Sequence, residues 1–262
     1  MIIPDLHRQP VGLDPAKHRA LTLPVPLTDW SPAAGLSAIF LTAAECVHAA
    51  RDFPIVFIVA GKNDEGGDDV APVAVLGIQA GENLYVGAGG RWRAGHVPAV
   101  LAMYPLCVAR IDARQYAVCL DESWPGLQAD GGSTGQRLFD DAGEPAALLR
   151  DAQTELQRVE QQVDQTRAIG HRLAALGLLE DRRLDGTLPD GSKVKLDGFM
   201  MVNEERVNAL SDEDALSLHK DGLLALIHAH WISLGHMRRL FEWRAERLAA
   251  SASPPPTAPA GV

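Results

Sequence analysis

The rhythm of apolar positions changes near residue 140. Before it, apolar residues come in short β-branched runs. Ile55-Val56-Phe57-Ile58-Val59 lacks alternation, which predicts a strand covered on both faces. Residues 72–78 and Leu84-Tyr85-Val86 predict two more strands with a turn at 80–83, the pattern of an antiparallel meander. Residues 61–69 read as an acidic, glycine-containing loop. Residues 106–111 and 116–120 alternate as a hairpin turning at 112–114. Two helices interrupt these strands. One starts at Thr42, which has Glu45 at capping-box spacing and Leu41 before it, and must stop ahead of Pro54. The other is short, over 98–103, ending at Pro105.

After residue 140 the period lengthens. Leu149, Ala152, Leu156, Val159, Val163, Thr166, Gly170 and Leu173 follow a heptad seam, weakened at its far end by Thr166 and Gly170. A helix over 145–176 would span ~45 Å. Gly177 ends it. Residues 178–187 and 193–202 flank Pro189-Asp190-Gly191, a hairpin turn. Ser211–Asp214 is a second capping box, opening a short helix to Lys220. Residues 222–247 predict a last helix, apolar on nearly every side at first and rich in Arg and Glu later. Its first half should sit in the core, packed against the 145–176 helix.

These elements predict an α+β fold: a mainly antiparallel sheet in the N-terminal half, then a long helix, a β-hairpin and C-terminal helices packed on it. The expected organisation is an irregular arm over 1–36, one domain over 37–248 with a subdomain boundary near 140, and a disordered tail over 249–262.

Composition narrows the partners. The net charge of −10 argues against nucleic acid, which needs a basic footprint. No apolar run is long enough to insert in a membrane. The N-terminus has no signal-peptide pattern, so the expected location is the cytoplasm. Cys46, Cys107 and Cys119 have no metal spacing and read as buried thiols. No motif calls for a cofactor or a metal.

The chemistry candidates are few. His228, His230 and His236 cluster on the last helix, but residues two apart on a helix point ~200° apart, which scatters a His-x-His metal pair. His230 falls on the apolar arc with Ile227, Trp231 and Leu234, where each ring nitrogen needs a partner. It is the preferred single candidate. Arg91, Trp92, Arg93 and His96 form a compact basic-aromatic group suited to an anionic ligand or a partner surface. Gly87–Gly90 precedes this group and lacks the helix that a nucleotide loop requires. Residues 131–135 lack the Lys-Ser/Thr of a P-loop.

The chain from about 36 to 247 resembles the SapC family of bacterial proteins. The resemblance rests on FLTAAECVHAARDFPIVFIV (40–59), PVAVLGIQAGENLYVGAGGRW (72–92), LFDDAGEP (138–145), LDGFMMVNEERVNALSD (196–212) and LHKDGLLALIHAHWISLGHMRRL (218–240), in family order. The loop at 64–69 looks longer than the family's turn. The resemblance carries over no catalytic residue. It implies a non-enzymatic accessory protein making protein–protein contacts in surface-layer or outer-membrane-associated processes. Partners expected on that ground are surface-layer, halogenase-like or outer-membrane receptor systems. The alternative is an enzyme or small-ligand-binding partner of an oxidative system, flavin halogenase-like or oxygenase-like. The long helix adds a homodimer as a third expectation.

Overall fold

The computed structural model describes residues 1–62, 66–112, 115–127 and 135–252. The tip of the acidic loop (63–65), part of the 112–114 turn, most of the 131–135 glycine loop and nearly all of the tail lie outside them.

The first half of the chain alternates short elements. β1 (Pro10–Gly12), α1 (Pro15–His18), β2 (Thr22–Pro24) and β3 (Ala38–Phe40) precede α2 (Ala43–Ala49) and the long strands β4 (Ile55–Lys62) and β5 (Asp68–Val75). α3 (Ala99–Ala102), β6 (Leu106–Arg110), β7 (Tyr116–Asp121) and β8 (Gly135–Arg137) follow. The second half holds α4 (Ala147–Ala175), β9 (Leu179–Thr187), β10 (Lys193–Val202), α5 (Glu204–Asn208), α6 (Asp212–Lys220), α7 (Leu223–Ser233) and α8 (Met237–Ala252).

The fold is α+β. One antiparallel sheet runs β3-β5-β4-β10-β9, a second β1-β7-β6, and β2 pairs with β8. The expected meander is corrected. Residues 84–86 form no strand; Val86 makes a single bridge to Trp92. The place beside β5 goes instead to β3, while the late hairpin β9–β10 joins the other side of β4. Asp68 and Asp69, expected in the loop, begin β5, paired with Lys62 and Gly61.

α2 starts as its capping box predicts: Glu45 Oε1 accepts from the Thr42 backbone N–H at 2.7 Å. α4 buries its heptad seam, including Leu149, Leu156, Val159, Val163 and Leu173. The neighbour differs from the expected one. α4 lies on β5, α2 and β6, and α7 packs on α2, β4, β10 and α6, so α2 stands against both. A two-stranded coiled coil through this seam would have to unseat α4 from its own sheet.

The two residues that weaken the seam by pattern have distinct tasks. Thr166 Oγ1 accepts from the Ala43 N–H at 2.8 Å, meeting one of the free donors at the start of α2. Gly170 lets the α4 backbone approach β5: a Cβ there would sit 1.9 Å from the Val70 carbonyl oxygen. The last helix is not continuous. It breaks through a 3-10 turn at Leu234–His236 between α7 and α8. Gly222, left-handed at φ 74°, separates α6 from α7.

Gly170→Ala improves helix propensity by about 1 kcal/mol, yet drives a methyl into β5 backbone. We expect net destabilisation by about 2 kcal/mol, read as a lower urea midpoint at unchanged slope. Equal or higher stability would remove the close α4–β5 approach.

Candidate functional site

His230 is fully buried beneath the β4–β10 junction. Those strands pair at Met200–Phe57. Continuing that register by two residues would set Val202 opposite Ile55, and there α7 replaces the ladder. The His230 Nδ1–H donates to the Ile55 carbonyl at 2.8 Å. Its Nε2 accepts from the Val202 N–H at 3.2 Å. A carbonyl only accepts and an N–H only donates, so the partners fix the tautomer. The Trp231 indole N–H donates to the Val202 carbonyl at 2.9 Å, and the Ser233 hydroxyl accepts from the Ile55 N–H at 2.9 Å. Three α7 side chains thus satisfy all four backbone groups of a splayed strand pair. Burial pushes the His230 pKa down to about 4, against a smaller upward pull from the Ile55 carbonyl.

The other two histidines of the cluster are also bound to backbone. His228 Nδ1–H donates to the Leu224 carbonyl at 2.6 Å in its own helix. His236 Nε2–H donates to the Ala50 carbonyl at 3.1 Å, closing the end of α2, while Arg239 donates to its Nδ1 at 2.8 Å. Burial and then the Arg239 charge lower the His236 pKa. Among the described residues, no three His, Cys, Asp or Glu side chains converge as a metal set would.

The basic-aromatic stretch divides. Arg91 is exposed. Trp92 packs near Trp30, Phe53 and Tyr85, and its indole N–H donates to the His96 carbonyl at 2.8 Å. The Arg93 guanidinium lies 3.8 Å above the Trp243 ring of α8 and pairs with Glu246 at 3.7 Å. His96 turns the other way, its backbone N–H donating to Asp52 Oδ2 at 2.8 Å.

His96 opens onto a cleft of about 360 Å³ between α2, α3 and α4. Its Nε2 meets Glu45 Oε2 at 3.0 Å. Glu45 is held by three further donors: Thr42 N–H, Thr42 Oγ1 and Ala99 N–H. His48, Glu155, Arg158 and Gln162 complete the polar wall. A carboxylate-oriented imidazole beside solvent can accept or donate a proton or position a polar ligand. His230 is not among the walls of this cleft. His96 and His230 are linked through the chain entering β4, where Phe53 touches the His96 ring and Ile55 bonds His230.

Glu45, His48 and Arg158 are not distinguished by the pattern. Glu45 reads there as a cap, and its second oxygen, turned to His96, has no local signature. The one available signal is Glu45 and His48 three apart on a helix, hence on one face.

The structural role of His230 has a pH signature. The unfolded imidazole titrates near 6.5 and the folded one near 4. Below about 6.5 the unfolded chain binds a proton that the folded protein refuses, so stability falls with pH until about 4. The full effect is on the order of 3 kcal/mol. His230→Ala strands a buried N–H and a buried C=O and should cost about 3 kcal/mol at pH 7. Its deficit against the parent should shrink as pH is lowered toward 4.5 in urea titrations; a constant deficit would exclude a neutral bridging imidazole.

The family model described as SapC matches residues 13–240. No curated protein matches the chain, and no solved structure does.

Proposed function

The chain belongs to the SapC family, and from that premise we propose a non-enzymatic accessory protein acting through protein–protein contacts in surface-layer or outer-membrane-associated processes. The observation that carries this reading is the use of its conspicuous side chains as fasteners. His230 spans two strands, Trp92 sits in an aromatic cluster, and Arg93 is stacked on α8. The side chains that the α2–α7 flank offers to solvent include two large apolar ones, Val47 at 51% exposed and Ile232 at 73%. If the two form one apolar patch, it suits a protein partner. Among the described residues no helix is long and apolar enough to cross a membrane. Three free, buried cysteines suit a reducing compartment, and the reading places the protein in the cytoplasm.

A second reading rests on one specific observation, the His96–Glu45 pair facing its cleft. It makes the protein an enzyme or small-ligand partner of an oxidative system, flavin halogenase-like or oxygenase-like.

Affinity purification of the tagged protein should recover a surface-layer, halogenase-like or outer-membrane receptor component. Val47→Glu with Ile232→Glu should reduce that recovery roughly tenfold, as loss of an apolar contact site would. A monomer that recovers no such component, or recovery untouched by the double variant, would overturn the contact reading.

A further inference from the structure

The His96 cleft does not end at its polar wall. Val97, Ala102 and Met103 also line an adjoining apolar recess of about 400 Å³. Its other walls include Leu23, Pro26, Trp30, Tyr104 and Leu148. One flank of α4 runs under both: Leu148, Ala152, Glu155, Val159 and Gln162, spaced four and three apart and therefore in line along the helix. Sharing Val97, Ala102 and Met103 and the same α4 flank, the two recesses adjoin as a furrow, with the charged side chains of its wall at the His96 end.

The charges at the polar end are unevenly committed. All four donors around Glu45 belong to the fold: Thr42 twice, Ala99 and His96. Glu155 is held by Arg158 Nε at 2.9 Å and by the adjacent Nη2 at 2.7 Å. The remaining edge of that guanidinium has no partner among the described residues, and neither has the exposed His48 ring one turn beyond Glu45. At the apolar end the Tyr104 hydroxyl is turned away, donating to Asp121 at 3.1 Å, so the ring presents carbon to the furrow. From Arg158 to Leu148 the helix rises ~15 Å, the reach of an extended alkyl chain.

We propose that this furrow binds a medium-chain carboxylic acid, with its carboxylate at Arg158 and His48 and its alkyl chain along Val97, Met103 and Tyr104 toward Trp30. The bound head group takes charge-assisted hydrogen bonds from nitrogen donors. The chain removes apolar wall from water, and the half-open shape leaves the acid free to exchange. This site goes beyond the accessory role: it uses the furrow between α2, α3 and α4, whereas partner contact is assigned to the exposed Val47 and Ile232.

The test is calorimetric titration of the full-length protein with dodecanoate, dodecanol and dodecylamine, each below its micellar concentration. Saturable dodecanoate binding is expected, with dodecanol and dodecylamine weaker by roughly tenfold or more, the worth of a lost charge-assisted contact. Arg158→Gln with His48→Gln should weaken dodecanoate by about the same factor and leave dodecanol unchanged. Ala102→Trp, at an exposed position where the two recesses join, should block both ligands without altering thermal unfolding. No saturable dodecanoate binding, equal or tighter binding of the alcohol or amine, or insensitivity to Ala102→Trp overturns the proposal. Recovery of partners by the Ala102→Trp variant separates this outcome from failure of the accessory reading.

Discussion

The fold depends on a place where a β-ladder is left open and then closed by a helix. β4 and β10 are brought together from distant parts of the chain, and their pairing is carried at Met200–Phe57. One step further, the backbone groups of Ile55 and Val202 would be buried without partners, at roughly 1–3 kcal/mol each. His230, Trp231 and Ser233 supply those partners. The imidazole is suited to this because its two nitrogens, in one neutral tautomer, donate on one side and accept on the other. The arrangement joins early strand, late hairpin and α7 into a single unit. It also explains why a polar residue occupies the apolar arc of that helix.

A second constraint sits on the far side of α2. α4 must lie close enough to β5 for its seam to exclude water, and Gly170 permits that approach. Thr166, one turn earlier, accepts through its hydroxyl oxygen from the first N–H of α2. α2 is in turn closed at its other end by His236 from the α7–α8 break. Both ends of this short helix are therefore tied by side chains from the second half of the chain. That fixing holds Glu45 and His48, one turn apart, facing the cleft.

Most of the element plan was legible in the order of residues because periodicity and caps are local. The capping box at Thr42, the heptad face of α4, the Asp190-Gly191 turn and the break at Gly222 each follow from a few neighbouring residues. Sheet order was not legible. β3 beside β5, and β10 beside β4, are non-local pairings with no imprint in either strand. Tyr85 illustrates the difficulty: Leu84-Tyr85-Val86 has strand-like composition, but its apolar character serves an aromatic cluster with Phe53, Trp92 and Trp243. The neighbour of α4 was misassigned for a related reason. A heptad face declares that something covers it, and a sheet satisfies it as well as a helix does.

The candidate site divides along the same line. Chemistry-bearing residue types marked His230, Arg91, Trp92, Arg93 and His96, but residue type does not tell whether a polar group is already satisfied. Helical angles showed that the three clustered histidines diverge; only the fold shows that each donates an N–H to a main-chain carbonyl. His96 differs from them because its partner is a carboxylate and its ring borders open space. The polar group best placed to act is therefore the histidine that pairs with a carboxylate at the edge of open space, on a turn that also packs Trp92 against the core. Packing of that tryptophan against Trp30, Phe53 and Tyr85 fixes the turn. The same turn, bonded to Asp52 at the end of α2, sets the imidazole at the polar mouth of the furrow.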